Sequence, residues 1–142
     1  MIQRPIYLLD TNVVSETRRV RPNERVLAFI DGVDDETLFI SALTIGELQR
    51  GVELKRRNDP VAAMRIAEWI EETQQFYAER ILPVGVEVAW LWGALSADRG
   101  RPIVDTLIAA TAMVHGLTLV TRNTAHVEGL RLTVINPWEE LP

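Results

Sequence analysis

Four apolar residues in a row, Ile6-Tyr7-Leu8-Leu9, run directly into a carboxylate at Asp10. A run this short with no polar side reads as a strand covered on both faces, the kind found in parallel sheets packed between helices. Thr11 and Asn12 favour a turn and a helix start over more strand. Asp10 is therefore expected at the carboxyl end of a central strand, where open α/β sheets bind their ligands.

The same pattern recurs along the chain. Residues 37–41, 81–84, 117–121 and 132–135 read as further short strands, and Pro83 argues for an edge or a strand end in the second of these. Between them, residues 13–19, 22–32, 44–57, 61–79, 86–99 and 102–115 read as helices, with Gly100 and Gly116 as stops and Pro22, Pro60 and Pro102 near starts. Ile45, Leu48, Val52 and Leu54 are the expected core positions of one helix. Met64, Ala67 and Ile70, with Trp69 or Phe76, are those of the next. Strands alternating with helices predict a three-layer α/β/α sandwich with a mostly parallel sheet of four or five short strands. No composition break divides residues 1–142, so a single domain is expected.

Composition narrows the chemistry. With no cysteine, disulfides and thiolate metal sites are impossible, which suits a reducing compartment. Pro5 and Asp10 interrupt any signal-peptide-like apolar run, and no stretch approaches the roughly 18 apolar residues of a membrane span. A cytoplasmic protein is expected. The net charge is −5, so the chain as a whole does not advertise nucleic-acid binding. Its cations nevertheless are almost all arginine, clustered at Arg18-Arg19-Val20-Arg21, at Arg50 with Lys55-Arg56-Arg57, and at Arg99 with Arg101. Arginine forks suit phosphate oxygens, although for any one cluster a solvated helix end is the favoured reading.

Three acids fall at comparable places. Asp10 ends the first strand, where it also suits an N-cap. Glu47 lies just past the second strand, where Thr44-Ile45-Gly46-Glu47 matches a capping box that would account for it without chemistry. Asp105 lies in the first turn of an otherwise apolar helix, so a metal or an ion pair with Arg99 or Arg101 is expected to compensate its burial. Thr121-Arg122-Asn123-Thr124 would add hydroxyl and amide groups on the same rim, or form an ordinary turn. Carboxylates gathered this way are hard oxygen ligands suited to Mg²⁺ or Mn²⁺, ions that polarise phosphodiesters and activate water. A cysteine or serine triad, a dinucleotide-binding glycine motif and a P-loop are all absent. Asn12 occupies the second acid's place of a haloacid-type phosphotransferase, and no late strand-end lysine supports a receiver domain.

Taken together, five pieces resemble the PIN-domain ribonucleases, and among them the VapC and FitB type toxins of toxin–antitoxin pairs. They are Leu8-Leu9-Asp10-Thr11-Asn12 with Ser15-Glu16, Ser41 through Glu47 followed by Arg50-Gly51, Asp105 through Ala112, Leu119 through Asn123, and Ile135-Asn136-Pro137-Trp138. The resemblance implies a metal-dependent endoribonuclease with Asp10, Glu47 and Asp105 as catalytic acids. It implies Asp10 and Asp105 as ligands to Mg²⁺ or Mn²⁺, and Thr11, Thr121 and Asn123 as polar pocket residues. Arg18, Arg19, Arg50 and Arg101 are then the expected phosphate grips. One position departs from the pattern: His126 stands where relatives commonly have an acid. The alternative reading is a degenerate PIN module that binds RNA or a partner without cutting. The resemblance also implies an antitoxin partner and a homodimer. Trp69, Phe76, Tyr77, Trp90 and Trp92 offer interface aromatics on two consecutive helices, with Trp69 and Trp90 expected to pack between those helices.

Overall fold

The computed structural model describes residues 4–141. Five short strands form one parallel sheet in the order β3-β2-β1-β4-β5. They are β1 (Tyr7–Leu9), β2 (Leu38–Ser41), β3 (Ile81–Leu82), β4 (Thr118–Val120) and β5 (Val134–Ile135). The strand ending in Asp10 is central, and β3, with Pro83 at its end, lies on an edge as the proline predicts. The chain builds outward from β1 through β2 to β3, then crosses to lay β4 on the other side of β1. The order thus reverses beside Asp10, which is the crevice where such sheets hold ligands.

Six helices cover the two faces: α1 (Thr11–Glu16), α2 (Glu24–Asp31), α3 (Ala42–Arg56), α4 (Pro60–Phe76), α5 (Val86–Asp98) and α6 (Ile103–His115). Side chains alternate across a strand, so neighbouring residues feed opposite cores. Leu9 and Val120 join Val13, Val26, Leu48, Val52 and Ile70 beneath the first four helices. Leu8 and Leu119 join Ile108, Ala109 and Ala112 beneath α6. Both leucines of β1 are fully buried, which is the reason the run carries no polar residue. Helix α6 is covered on most sides, and its buried Thr106 and Thr111 hydroxyls donate to the carbonyls of Pro102 and Leu107 at 2.7 and 2.8 Å. Gly116 adopts φ 67° to end it, a left-handed conformation that costs glycine little.

Several boundaries and facings differ from expectation. Helix α1 stops at Glu16, leaving Arg18 and Arg19 in the following turn, and α2 starts at Glu24 under an Asn23 cap instead of at Pro22. Helix α3 starts at Ala42, with the Ser41 hydroxyl accepting from the Leu43 amide at 3.0 Å. Thr44 is thus inside the helix and the Thr44–Glu47 capping box does not form. The hydroxyl that caps is the one at which β2 ends.

Leu54, Met64 and Phe76 are exposed, not core. Ala67 and Ile70 of α4 pack into the core as expected, and Ala63 and Thr73 complete the inward stripe in place of Met64 and Phe76. Helix α4 packs on α3, while α5 packs on α6 across the sheet, so Trp69 and Trp90 do not meet between consecutive helices. Trp69 is half-buried against the first core, and Trp90 is 79% exposed.

The cap assignment has an energetic consequence. Ser41→Ala is expected to cost about 1 kcal/mol in urea unfolding, the usual worth of an N-cap hydroxyl. Glu47→Gln should cost less than that, and equal losses would restore Glu47 to the capping role.

Candidate active site

The backbone at Asp10 leaves the sheet by donating its N–H to the Val120 carbonyl at 2.9 Å, which seats the carboxylate between β1 and β4. The side chain is buried. Its Oδ1 accepts from the Thr11 amide at 2.8 Å and its Oδ2 from the Thr121 hydroxyl at 2.7 Å. The Asp10 cap of α1 and the polar anchor of the centre are therefore the same interaction.

Thr11 connects this carboxylate to the second acid. Its hydroxyl donates to Glu47 Oε1 at 2.5 Å and lies 3.0 Å from the hydroxyl of fully buried Thr44. The single Thr11 hydroxyl proton goes to Glu47, so Thr44 must donate to Thr11. Glu47 thus faces the rim. Asp105, in the first turn of α6, does not pair with Arg99 or Arg101. Its Oδ2 instead meets Nδ1 of His126, brought over by the 3-10 turn Thr124–Val127. Arg101 spans the carbonyls of His126 and Glu128 at 3.1 and 3.2 Å, and Arg99 also reaches the Glu128 carbonyl. These arginines hold the segment that carries His126.

The three acids act on one another. Burial pushes the Asp10 carboxyl up from its usual range to about 6. The charges of Asp105 and then Glu47 push the same way, and the hydrogen bonds from Thr121 and Thr11 only partly oppose them. Negative charge has been collected without an arginine or lysine to neutralise it, which is the electrostatic situation a divalent cation relieves. Among the described residues, no three carboxylate or imidazole groups close into a cage for an ion. The donor set fits an ion of the magnesium type, which keeps several waters and uses one or two carboxylates together with substrate phosphate.

The remaining expected residues are distributed as follows. The Thr121 side chain is in the centre, whereas Asn123 contributes its backbone N–H to Thr121 Oγ1 at 3.0 Å and its side chain is exposed. Arg18 lies over the Trp69 ring, 5.9 Å from its centroid. Arg19 is turned towards Glu16 at 3.5 Å, and Arg50 is exposed on α3.

Asn12 was missed as a site residue. Its Nδ2 lies 3.4 Å from both Asp10 Oδ2 and Thr121 Oγ1, and its Oδ1 accepts from the Arg122 amide at 3.3 Å. Its place directly after Asp10-Thr11 is the available signal, but a turn and helix start already account for an asparagine there.

An α/β/α sandwich with an acidic centre at its switch point, built from strand ends and helix first turns, defines a class of proteins suited to divalent-ion chemistry. The chain belongs to the PIN-domain family, whose profile matches residues 7–128. It is 39% identical over 144 aligned positions to the toxin FitB of Neisseria gonorrhoeae, covering 95% of this chain and 100% of that one. It is 38% identical to the VapC ribonuclease Y4jK of Sinorhizobium fredii, over 94% of this chain and 99% of the relative. The crystal structure of FitAcB from Neisseria gonorrhoeae superposes with a TM-score of 0.86 at 36% identity, covering 95% of this chain and 100% of the other.

The raised Asp10 pKa fixes the sign of a pH effect. Between about pH 4 and 6 the unfolded chain holds fewer protons at this position than the folded one, so the contribution of Asp10 to stability falls as pH rises through that window. In chelator-treated protein, Asp10→Asn should therefore gain about 2–3 kcal/mol over wild type near pH 8 and almost nothing near pH 4. Urea unfolding at the two pH values measures the difference. A pH-independent gap would mean that the carboxylate is not held against its own charge.

Proposed function

We propose that this chain is a metal-dependent endoribonuclease acting in the cytoplasm as the toxin of a toxin–antitoxin pair, with residues 1–142 serving as one PIN-like nuclease domain. The observation that carries the reading is the grouping of buried Asp10 with half-buried Asp105 and Glu47 at the sheet's switch point, none of them, among the described residues, in an ion pair with arginine or lysine. Membership of the PIN family, and likeness to proteins named as a toxin and a VapC ribonuclease, support it. Among the described residues no helix is long and apolar enough to cross a membrane.

Asp10 and Asp105 would hold Mg²⁺ or Mn²⁺, which when bound supplies charge neutralisation at a phosphodiester and acidifies a bound water. The chain's own groups do the rest. The Thr121 hydroxyl and Thr11 amide hold Asp10 ionised and fixed in direction. Thr11 occupies one oxygen of Glu47 and leaves the other to accept a hydrogen bond from the attacking water. Arg18 and Arg50 are exposed and available to phosphate oxygens, as is Arg19 once it leaves Glu16. Arg101 is better read as support for the His126 segment than as an RNA grip.

The contact between His126 and Asp105 favours one alternative, a PIN module that binds RNA or a partner without cutting. Manganese-dependent cleavage of RNA by the purified chain separates the two. Asp10→Asn and Asp105→Asn should each reduce that cleavage at least a hundredfold while the protein remains folded. Cutting at the wild-type rate by either variant would remove the metal assignment.

The chain also has a face suited to self-association. Helix α5 is apolar nearly all round yet buries only Val88, leaving Trp90 at 79% and Val86 at 75% exposure one turn apart. Large apolar residues grouped in this way mark protein contacts. A homodimer through α5 is the reading, with a cognate antitoxin as second partner. That partner would bring an apolar segment and an arginine or lysine that competes with metal for the acids. Wild type should sediment as a dimer at micromolar concentration and Trp90→Glu as a monomer. A monomeric wild type would remove this interface.

A further inference from the structure

Beside the acidic centre, a cavity of about 730 Å³ runs between α1, α3 and α4. Thr11 and Glu47 of that centre are part of its lining, as is Trp69. Arg18, Lys55 and Arg65 also line it, three cations against the single acid Glu47, in a chain whose net charge is −5. The three come from three separate segments: the turn after α1, the end of α3 and the start of α4. All three are exposed, and among the described residues none pairs with a carboxylate, although acids are plentiful elsewhere on the surface. Lys55 lies eight residues beyond Glu47 on the same helix, about 12 Å along its axis at 1.5 Å per residue. The cationic lining therefore extends away from the acids over more than the length of a side chain.

We propose that this cavity is a subsite for an unpaired nucleotide flanking the scissile phosphate, with its base on Trp69 and its phosphates on Arg18, Lys55 and Arg65. The inference rests on the ribonuclease reading and specifies how its substrate is held. An indole face takes any base, so the subsite selects unstacked RNA over duplex without reading base identity. Arg18 already covers the ring, but at 5.9 Å to the centroid it is loosely placed. It exchanges the indole for a phosphate as the base arrives, and a guanidinium makes both contacts well. The volume falls within the about 300–1,000 Å³ usual for pockets that enclose a small ligand. A protein segment is the competing occupant. Val20, Leu48, Ala62 and Ile66 make much of the lining apolar, which suits a base as well as a helix, and the three unpaired cations complement the phosphates that only the nucleotide carries.

The test uses the full chain carrying Asp10→Asn, so that binding is read without cleavage. The probe is a single-stranded RNA octamer containing one 2-aminopurine. Stacking on Trp69 should quench the probe. Trp69→Leu should abolish the quench and weaken binding about tenfold, while Trp69→Phe retains most of both. Lys55→Gln with Arg65→Gln should lower the slope of log affinity against log salt by about 1.4, or 0.7 for each lost phosphate contact on a single strand. Each variant's thermal melt verifies that it is folded, and the charge variants lie on the exposed surface.

Unchanged quenching, affinity and salt slope in these variants, with the octamer still bound and wild type still cutting RNA, overturns the subsite and leaves the ribonuclease reading standing. Failure of the chain to bind or cut any RNA overturns both. If the same substitutions weaken only capture of the product of the adjacent reading frame, the cavity belongs to a protein partner and the proposal fails.

Discussion

The carboxylate of Asp10 is held at the end of the sheet's central strand by a main-chain amide on one oxygen and a threonine hydroxyl on the other. Each part of the fold nearby serves that arrangement. Two fully buried leucines give β1 a core on each face, which fixes where the strand must end. The reversal of strand order opens the crevice at that end. Helix α1 begins there under the same carboxylate, so Thr11 faces α3, and α6 brings Asp105 close enough to raise the proton affinity of Asp10. A buried charge disfavoured by its neighbours is costly to folding. Such a cost is common where a site is organised around a ligand more than around stability.

Much of this was legible in the residues, and for identifiable reasons. A wholly apolar run ending in a carboxylate can do little else than cross a covered sheet, and β1 is its central strand. The Pro83 signal correctly put β3 on an edge. The stripe of α4 was legible in part: Ala67 and Ile70 face the core as their spacing predicts, whereas Met64 and Phe76, equally apolar, fall outside the arc that packing against α3 covers. Ser41 and Thr44 are both competent caps three residues apart, and the choice depends on where β2 ends. Glu47 was drawn towards a capping role by local pattern, whereas a threonine 36 positions earlier is what holds it.

The partner of Asp105 illustrates a different limit. Arg99 and Arg101 are close in sequence, and charge alone nominates them. Their guanidiniums are taken instead by the carbonyls of residues 126 and 128, which otherwise would lack donors at the end of a short 3-10 turn. His126 then reaches the acid from 21 residues away. Backbone groups compete for arginine as effectively as carboxylates do, and a sequence carries no mark of which carbonyls will be left open.

The two outer strands, β3 and β5, are each two residues long. An exposed strand edge is a template on which a second chain can add its own backbone, and its reach is set by the number of free amide and carbonyl groups in line. Two residues present too few to hold a foreign strand in register. Rims this short guard the sheet against growth by strand addition. Any contact with another chain is then left to side chains, where the fit of particular residues decides which chains are admitted.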